Sequence, residues 1–570
     1  MAKNASIART IEQYRTGSLP RRDFLQRLLA LGIAPGFAAS AAMAFENASW
    51  AASTKDVASI DASYDYIIVG AGSAGAALAY RLATMTDARV LVLEAGGTDD
   101  VPEIQDPRRW LQTLGTRAAK WFETTRQPQT ANRTHSWPRG NVLGGTSCLN
   151  AMIFARGHAT DYDSWATEGC VGWDYASVLR HFKELETYEG GESQYRGGSG
   201  PLFVGVPHPE LRHPGGQMFL EASTALGYPP TSDMNGAVME GPTWVDLTIK
   251  DQRRQSTAVA FLKPAMGRRN LTVLTDAPVN KLVLQGGRCV GVEYLHAGQP
   301  RVVRSDAEVI LAAGTIDSPR ILMHSGVGRA ADLRAVGIRT AVDLPGVGQN
   351  LQDHIMAAGM VFESPTPIPA SNYNSSEAYM WARSDSRLVA PDIATLYISA
   401  PASSSALPLQ GLHNGWTVVS GLMRPSSRGT LKLRSNKRAD PPVIDPNYLG
   451  TEHDRRVYAK AAQLARETAY QPAFAGVRAK EWLPGPSVKV GTPEWQDFIA
   501  RSVTTFFHPT STCRMGVDAM SVVDPELKVY GVSGLRIADA SVMPSITTGN
   551  TNAPSIMIGW KCGELLRHAA

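Results

Sequence analysis

Short apolar runs separated by glycine turns open the body of the chain. Residues 65–69 (DYIIV) have strand chemistry, GAGSAG follows at 70–75, and AALAYRLAT (76–84) places its apolar positions at helical spacing. A second run, RVLVLEAGG (89–97), contains Glu94. The order predicts strand, glycine turn, helix, strand, then an acid. Residues 161–186 read as a loop and then an amphipathic helix, ending in SVLRHFKELE. NLTVLTDAPVNKLVL (270–284) is strand-like. LVAPDIATLYIS (388–399) and NGWTVVSGLMRPSSRGTLKLRS (414–435) are rich in β-branched and aromatic residues between turn residues, and predict three strands of an antiparallel sheet. The segment 361–385 is rich in Pro, Ser and Asn, with Tyr373, Tyr379 and Trp381, and predicts a loop covering a site. No repeat of solenoid period is present.

The first of these patterns meets the context required of a dinucleotide fingerprint. Gly70 permits the tight turn, Gly72 lets backbone approach a pyrophosphate, and Gly75 lets helix and strand pack closely. The helix N-terminus offers unpaired N–H groups to phosphates. Glu94, 19 residues after Gly75, is placed to accept hydrogen bonds from ribose hydroxyls. NAD and FAD both use this fingerprint.

Composition narrows the class. Hydrophobic residues make up 43% and charged residues 19% of the 570, so the chain is globular. The formal charge is +4, but residues 1–44 carry six Lys/Arg against two Asp/Glu, which leaves the rest balanced. A neutral body argues against a nucleic-acid partner. Five dispersed cysteines (Cys148, Cys170, Cys289, Cys513, Cys562) form no C-x-x-C pair, H-E-x-x-H is absent, and no metal site is expected.

The N-terminus reads PRRDFLQR (20–27), then the apolar LLALGIAPGFAASAAMA (28–44), broken by Gly32, Pro35 and Gly36. That run is shorter than the roughly 20 residues of a membrane span. A basic patch, an apolar run and Ala42-x-Ala44 follow export-signal order, and Arg21-Arg22 before Phe24-Leu25 resembles a twin-arginine signal. The expectation is a periplasmic or otherwise exported protein with residues 1–53 as signal and linker.

Further motifs follow in order: PRGNVLGGTSCLNAMIFARG (138–157), AAGTIDSPRILMHSGVG (312–328), LPGVGQNLQDH (344–354), HPTSTCRMG (508–516), GLRIADASVMP (534–544) and NTNAPSIMIG (550–559). With the fingerprint, they resemble the glucose–methanol–choline (GMC) flavoprotein oxidoreductases from about Tyr64 to Leu566, in their choline-dehydrogenase-like bacterial branch. The resemblance implies an α/β fold with two domains. A discontinuous Rossmann-like FAD-binding domain would comprise 62–160, 255–355 and 502–570. An α+β substrate domain on an antiparallel sheet would comprise 161–254 and 356–501.

It also implies FAD as cofactor. Gly70, Gly72, Gly75 and Glu94 would hold the ADP half. Gly144, Gly145 and Asn150 would lie beside the flavin ring. Val279 would meet the adenine, and Asp539 and Ala540 the phosphate–ribityl region. Leu149 occupies the position where some relatives carry a flavin-linked His, so the FAD is expected to be non-covalent, with Cys148 a buried thiol. His508 matches the family's active-site histidine and Asn552 its asparagine partner. A histidine accepts a hydroxyl proton near neutral pH, and a carboxamide donates to a developing alkoxide. His135, His158, His324 and His354 are read as structural.

The implied reaction is oxidation of a primary alcohol to an aldehyde. The alternative is a non-redox lyase on the same scaffold, of hydroxynitrile-lyase or fatty-acid-photodecarboxylase type. Phe506 and Phe507 suggest an apolar pocket wall and favour aromatic or medium-length apolar alcohols. Choline is less favoured, because no acid is assigned to a quaternary ammonium. Electrons would pass to O₂ or to a periplasmic quinone or cytochrome. Two departures stand out: Trp560 replaces a usual Glu, and Thr510-Ser511-Thr512 is unusually hydroxylated.

Overall fold

The structure is a computed structural model that describes residues 60–567. The export signal expected in residues 1–53 lies outside the described residues.

Two seven-stranded sheets organise the chain. In the first, strand β1 (Ser63–Val69) leads through the glycine turn into helix α1 (Ser73–Met85), and strand β2 (Val90–Leu93) returns parallel, with Tyr66 opposite Val90 and Val69 opposite Leu93. Leu271–Leu274 pairs outside β2, and Gln299–Leu311 pairs on the other side of β1, both parallel. Leu535–Ile537 adds along Gln299–Leu311. The apolar residues of β1 and β2 are buried, as the near-continuous hydrophobicity of parallel strands requires. Gly75 sits where α1 crosses β1, and a Cβ there would fall 2.0 Å from the Gly70 carbonyl oxygen.

The second sheet is antiparallel, in the order Lys480–Leu483, Ile355–Glu363, Gly415–Leu422, Ile393–Ile398, Ala378–Ala382, Gly241–Trp244. Two of the predicted strand runs lie at its centre. The third, Thr430–Lys432, pairs instead with Val443–Asp445 in a separate ribbon. The short strand Val503–Thr505, expected within the FAD-binding piece, joins the second sheet against Ile355–Ala357. The chain therefore leaves this sheet three residues before His508.

Two further helices complete the frame. Helix α2 (Gly314–His324) follows Gln299–Leu311, and helix α3 (Asn552–Arg567) packs on α1. Gly559 permits that approach, since a Cβ would fall 2.1 Å from the Ala74 carbonyl oxygen. Trp560, one of the two departures, stacks on Tyr80 (6.1 Å), lies under the Arg81 guanidinium (4.9 Å) and donates to Glu184 (2.9 Å). No described helix is long and apolar enough to cross a membrane.

Candidate active site

A cavity of about 790 Å³ runs between the two sheets. At one end it is built largely from backbone. Gly70, at φ +102°, leaves no room for a side chain, because a Cβ would lie 2.5 Å from the Ala312 carbonyl oxygen. A Cβ on Gly72 would meet only Gly145 Cα, 3.9 Å away, and both glycines line the cavity. No side chain caps the N-terminus of α1, and its first turn holds no acid. Free amide donors and a gap sized for backbone contact fit the pyrophosphate of FAD.

The other residues expected at the cofactor divide. Glu94, Gly145, Asn150, Val279, Asp539 and Ala540 line the cavity. Glu94 accepts the Ala71 amide (2.8 Å) and the Gly96 amide (2.9 Å). Burial nonetheless pushes its carboxyl up to about 7, against the pull of those amides. Asp539 accepts the Gly314 amide (2.9 Å), the Ser318 hydroxyl (2.6 Å) and the Ser541 amide (2.8 Å), and burial raises its pKa as well. Asn150 Oδ1 accepts from Arg254 (2.9 Å) and the Met152 amide (3.0 Å).

Gly144 requires correction. It does not line the cavity. At φ +89° it lies one layer behind, where a Cβ would meet Cys148 Sγ at 2.8 Å and Ala258 at 3.1 Å, so it serves packing rather than flavin contact. Gly75 likewise packs helix to strand and does not reach the cavity. Burial pushes the Cys148 thiol up to about 12, and its sulfur lies 3.1 Å from the Leu143 carbonyl, which leaves no thiolate to attack a ring.

At the other end, side chains dominate. His508 lines the cavity, and its ring sits in a chain of contacts. Its Nδ1 is 3.0 Å from His354 Nδ1, and His354 Nε2 is 2.9 Å from the Met423 carbonyl oxygen. A carbonyl only accepts, so His354 Nε2 carries a proton. Burial lowers the His354 pKa to about 3, so its ring is neutral and Nδ1 is bare. His508 Nδ1 is therefore the donor between the rings, and His508 Nε2 keeps its lone pair. Burial, His354 and Arg139 hold the His508 pKa well below the usual range, so Nε2 is unprotonated at neutral pH.

The asparagine expectation is corrected by two residues. Asn550 Nδ2, not that of Asn552, lies 3.3 Å from His508 Nε2. Asn552 is the first residue of α3, and its Oδ1 accepts from Ser73 Oγ (2.6 Å) at the start of α1. Both asparagines line the cavity.

Residues not singled out from the sequence hold this arrangement. Asp353 accepts the His508 amide (2.8 Å), the Thr505 hydroxyl (2.7 Å) and the Tyr448 hydroxyl. Burial raises its carboxyl to about 6. Half-buried Arg139 donates to the Phe507 carbonyl (2.7 Å), where Phe507 takes φ +65°. His354 had been read as structural, and it touches His508 directly. The segment expected as a cover forms part of the wall: Asn374, Ser375, Ser376 and Tyr379 line the cavity, while Tyr373 and Trp381 are buried behind them. Of the hydroxylated run, Thr512 donates to the Thr315 carbonyl (2.6 Å) and Ser511 to Thr510 (2.9 Å), so these hydroxyls brace the loop after His508.

Comparison with known proteins agrees with this architecture. Models of the GMC oxidoreductase family match residues 64–356 and 425–559. Mitochondrial choline dehydrogenase of Mus musculus is 40% identical over 537 residues, covering 88% of this chain and 89% of the relative. Oxygen-dependent choline dehydrogenase of Brucella anthropi is 39% identical, covering 88% and 95%. Among solved structures, pyridoxine 4-oxidase from Mesorbium loti superposes with a TM-score of 0.85 at 36% identity, covering 88% of this chain and 99% of that one.

Proposed function

The chain belongs to the GMC oxidoreductase family and is an FAD-dependent oxidoreductase acting on CH–OH donors; on that premise we propose that it oxidises a primary alcohol to an aldehyde with His508 Nε2 as the proton acceptor. The observation that carries the reading is the His354–His508 contact. It leaves Nε2 unprotonated, facing the cavity, beside a carboxamide donor. When bound, FAD supplies a two-electron acceptor for the hydride leaving the alcohol carbon.

This chain's residues do the rest. His508 takes the hydroxyl proton. Asn550 Nδ2 donates to the oxygen as negative charge grows on it, a role first expected of Asn552. Asp353 fixes the backbone under the imidazole, and His354 fixes its tautomer. Gly70, Gly72, Gly145 and the start of α1 would hold the dinucleotide, with Glu94, Val279, Asp539 and Ala540 as further contacts from the cavity lining. The names of these relatives describe choline and pyridoxine oxidoreductases, and none of the three points to the lyase alternative. The test is anaerobic addition of a primary alcohol to purified holoenzyme. Bleaching of the oxidised flavin band with formation of aldehyde is expected, and an unchanged spectrum across a panel of alcohols would sink the reading.

The order of basic patch, apolar run and Ala42-x-Ala44 supports export through a twin-arginine route, with electrons passing to O₂ or to a periplasmic quinone or cytochrome. Replacing Arg21 and Arg22 with Lys should keep the protein in the cytoplasm, as read by cell fractionation. Equal periplasmic yield would remove that route.

A further inference from the structure

The cavity wall beyond His508 comes from the antiparallel sheet. Met356 and Ala358 alternate on one strand, Leu396 and Ile398 on another, and Val419 stands on the strand between them. A period of two turns these apolar side chains to the same face, and Tyr379 and Phe506 extend the wall.

All three carboxylates of the cavity lie elsewhere. Glu94 is held by the amides of the glycine turn, and Asp539 by Gly314, Ser318 and Ser541. Asp317 is ion-paired with Lys120, Arg320 and Arg438. Glu377, the acid next to the wall segment, accepts from Ser371 Oγ and the His213 amide. On the His508 side the charged groups are Arg139, fixed against the Phe507 carbonyl, and Asp353, which does not line the cavity and is occupied by the His508 amide and the Thr505 and Tyr448 hydroxyls. Trp110, Tyr379, Phe506 and Phe507 are the aromatic rings of the lining nearest this wall, and two of them are already engaged. Phe506 gives one face to His508 (5.6 Å, 7°), and Tyr379 packs against Trp381 (5.4 Å).

We propose that the substrate is an uncharged alcohol with a compact alkyl or aryl body, and that alcohols bearing a quaternary ammonium are rejected. The inference rests on the alcohol-oxidation reading above and departs from the substrate named for the choline dehydrogenase relatives. A quaternary ammonium entering this wall would lose its hydration with no carboxylate on the wall in return. A neutral body of the same shape loses nothing and gains apolar contact.

Choline and 3,3-dimethylbutan-1-ol have nearly the same shape and differ by one positive charge, so they isolate that term. Anaerobic flavin reduction of the holoenzyme should be at least about tenfold more efficient, per unit concentration, with the neutral isostere or with benzyl alcohol than with choline. A second readout is inhibition: tetramethylammonium at ten times the isostere's KM should leave isostere oxidation within about twofold of its control. Reduction by choline as efficient as by both neutral alcohols would overturn the substrate class while leaving alcohol oxidation intact. No reduction by any alcohol would overturn the underlying reading instead. In Ile398→Glu, a carboxylate on the wall should narrow the neutral-to-choline ratio at least threefold, and an unchanged ratio in folded yellow protein would refute the electrostatic cause.

Discussion

The two ends of the cavity are built by opposite means. The dinucleotide end is made of backbone brought so close that side chains are excluded: a Cβ on Gly70 or Gly75 would strike a carbonyl oxygen at 2.5 or 2.0 Å. The reacting end is made of side chains from segments far apart in the chain, with His354 and His508 separated by 154 residues. Backbone cradles recognise a group by shape and by amide direction, so they suit a cofactor that is the same in every turnover. Side-chain clusters fix tautomer, charge and pocket chemistry, so they suit the step that must be specific. Substitutions should therefore separate cofactor loading from flavin reduction according to which end they touch.

His508→Ala offers the largest separation. Flavin reduction should slow at least about a hundredfold, the low end for losing a general base, with FAD content unchanged. Near-normal reduction in stopped-flow traces would remove His508 from the reaction. Asn550→Ala should follow, at roughly ten- to a hundredfold slower reduction, because it deletes a donor aimed at developing charge. Asn552→Ala should cost about threefold or less, since its carboxamide oxygen serves Ser73. The reverse order would restore the pairing first read from the sequence.

At the other end, Gly72→Ala has room in the protein, so its melting temperature should hold while FAD binding to apoprotein weakens about tenfold. Unchanged affinity would show that the pyrophosphate lies elsewhere. His354→Leu removes the acceptor for the His508 Nδ1 proton and should slow reduction roughly fivefold by freeing the wrong tautomer, within the general base's total contribution. His354→Asn, whose Oδ1 can stand in for Nδ1, should recover most of that loss. Equal defects in both variants would reduce His354 to a packing residue.

The same contrast governs what the sequence made readable. The fingerprint of the dinucleotide end is contiguous, with strand, turn, helix and acid within residues 65–94, although the carbonyl that excludes a side chain at Gly70 comes from Ala312. Gly144 misled because two adjacent glycines look equivalent in sequence, while only Gly145 turns to the cavity. In NTN, either asparagine could face the histidine. The choice depends on where α3 begins, and its start at Asn552 swings that side chain to α1. His354 and Asp353 stood in a quoted motif, yet nothing local says that the segment pairs with residues 503–510. That pairing is made by the second sheet, through strands such as Val503–Thr505 that are too short to show a period.

A few-fold effect tests whether backbone support also matters at the reacting end. Asp353 carries three donors, one of them the His508 amide. Its raised pKa places the titration near pH 6, so the carboxylate is charged at pH 8 and takes a proton as pH falls. The protonated oxygen stops accepting, and the three donors must share what remains. Flavin reduction should therefore decline a few-fold as pH drops through about 6, a loss on the scale of one weakened hydrogen bond. His508 does not add to this limb, because its own pKa lies well below the usual range. Asp353→Asn keeps the shape but turns one acceptor into a donor. The variant should be a few-fold slower at pH 8 and show no further fall near pH 6. A limb that persists in Asp353→Asn would belong to another group and would separate the support of the His508 backbone from the chemistry of its ring.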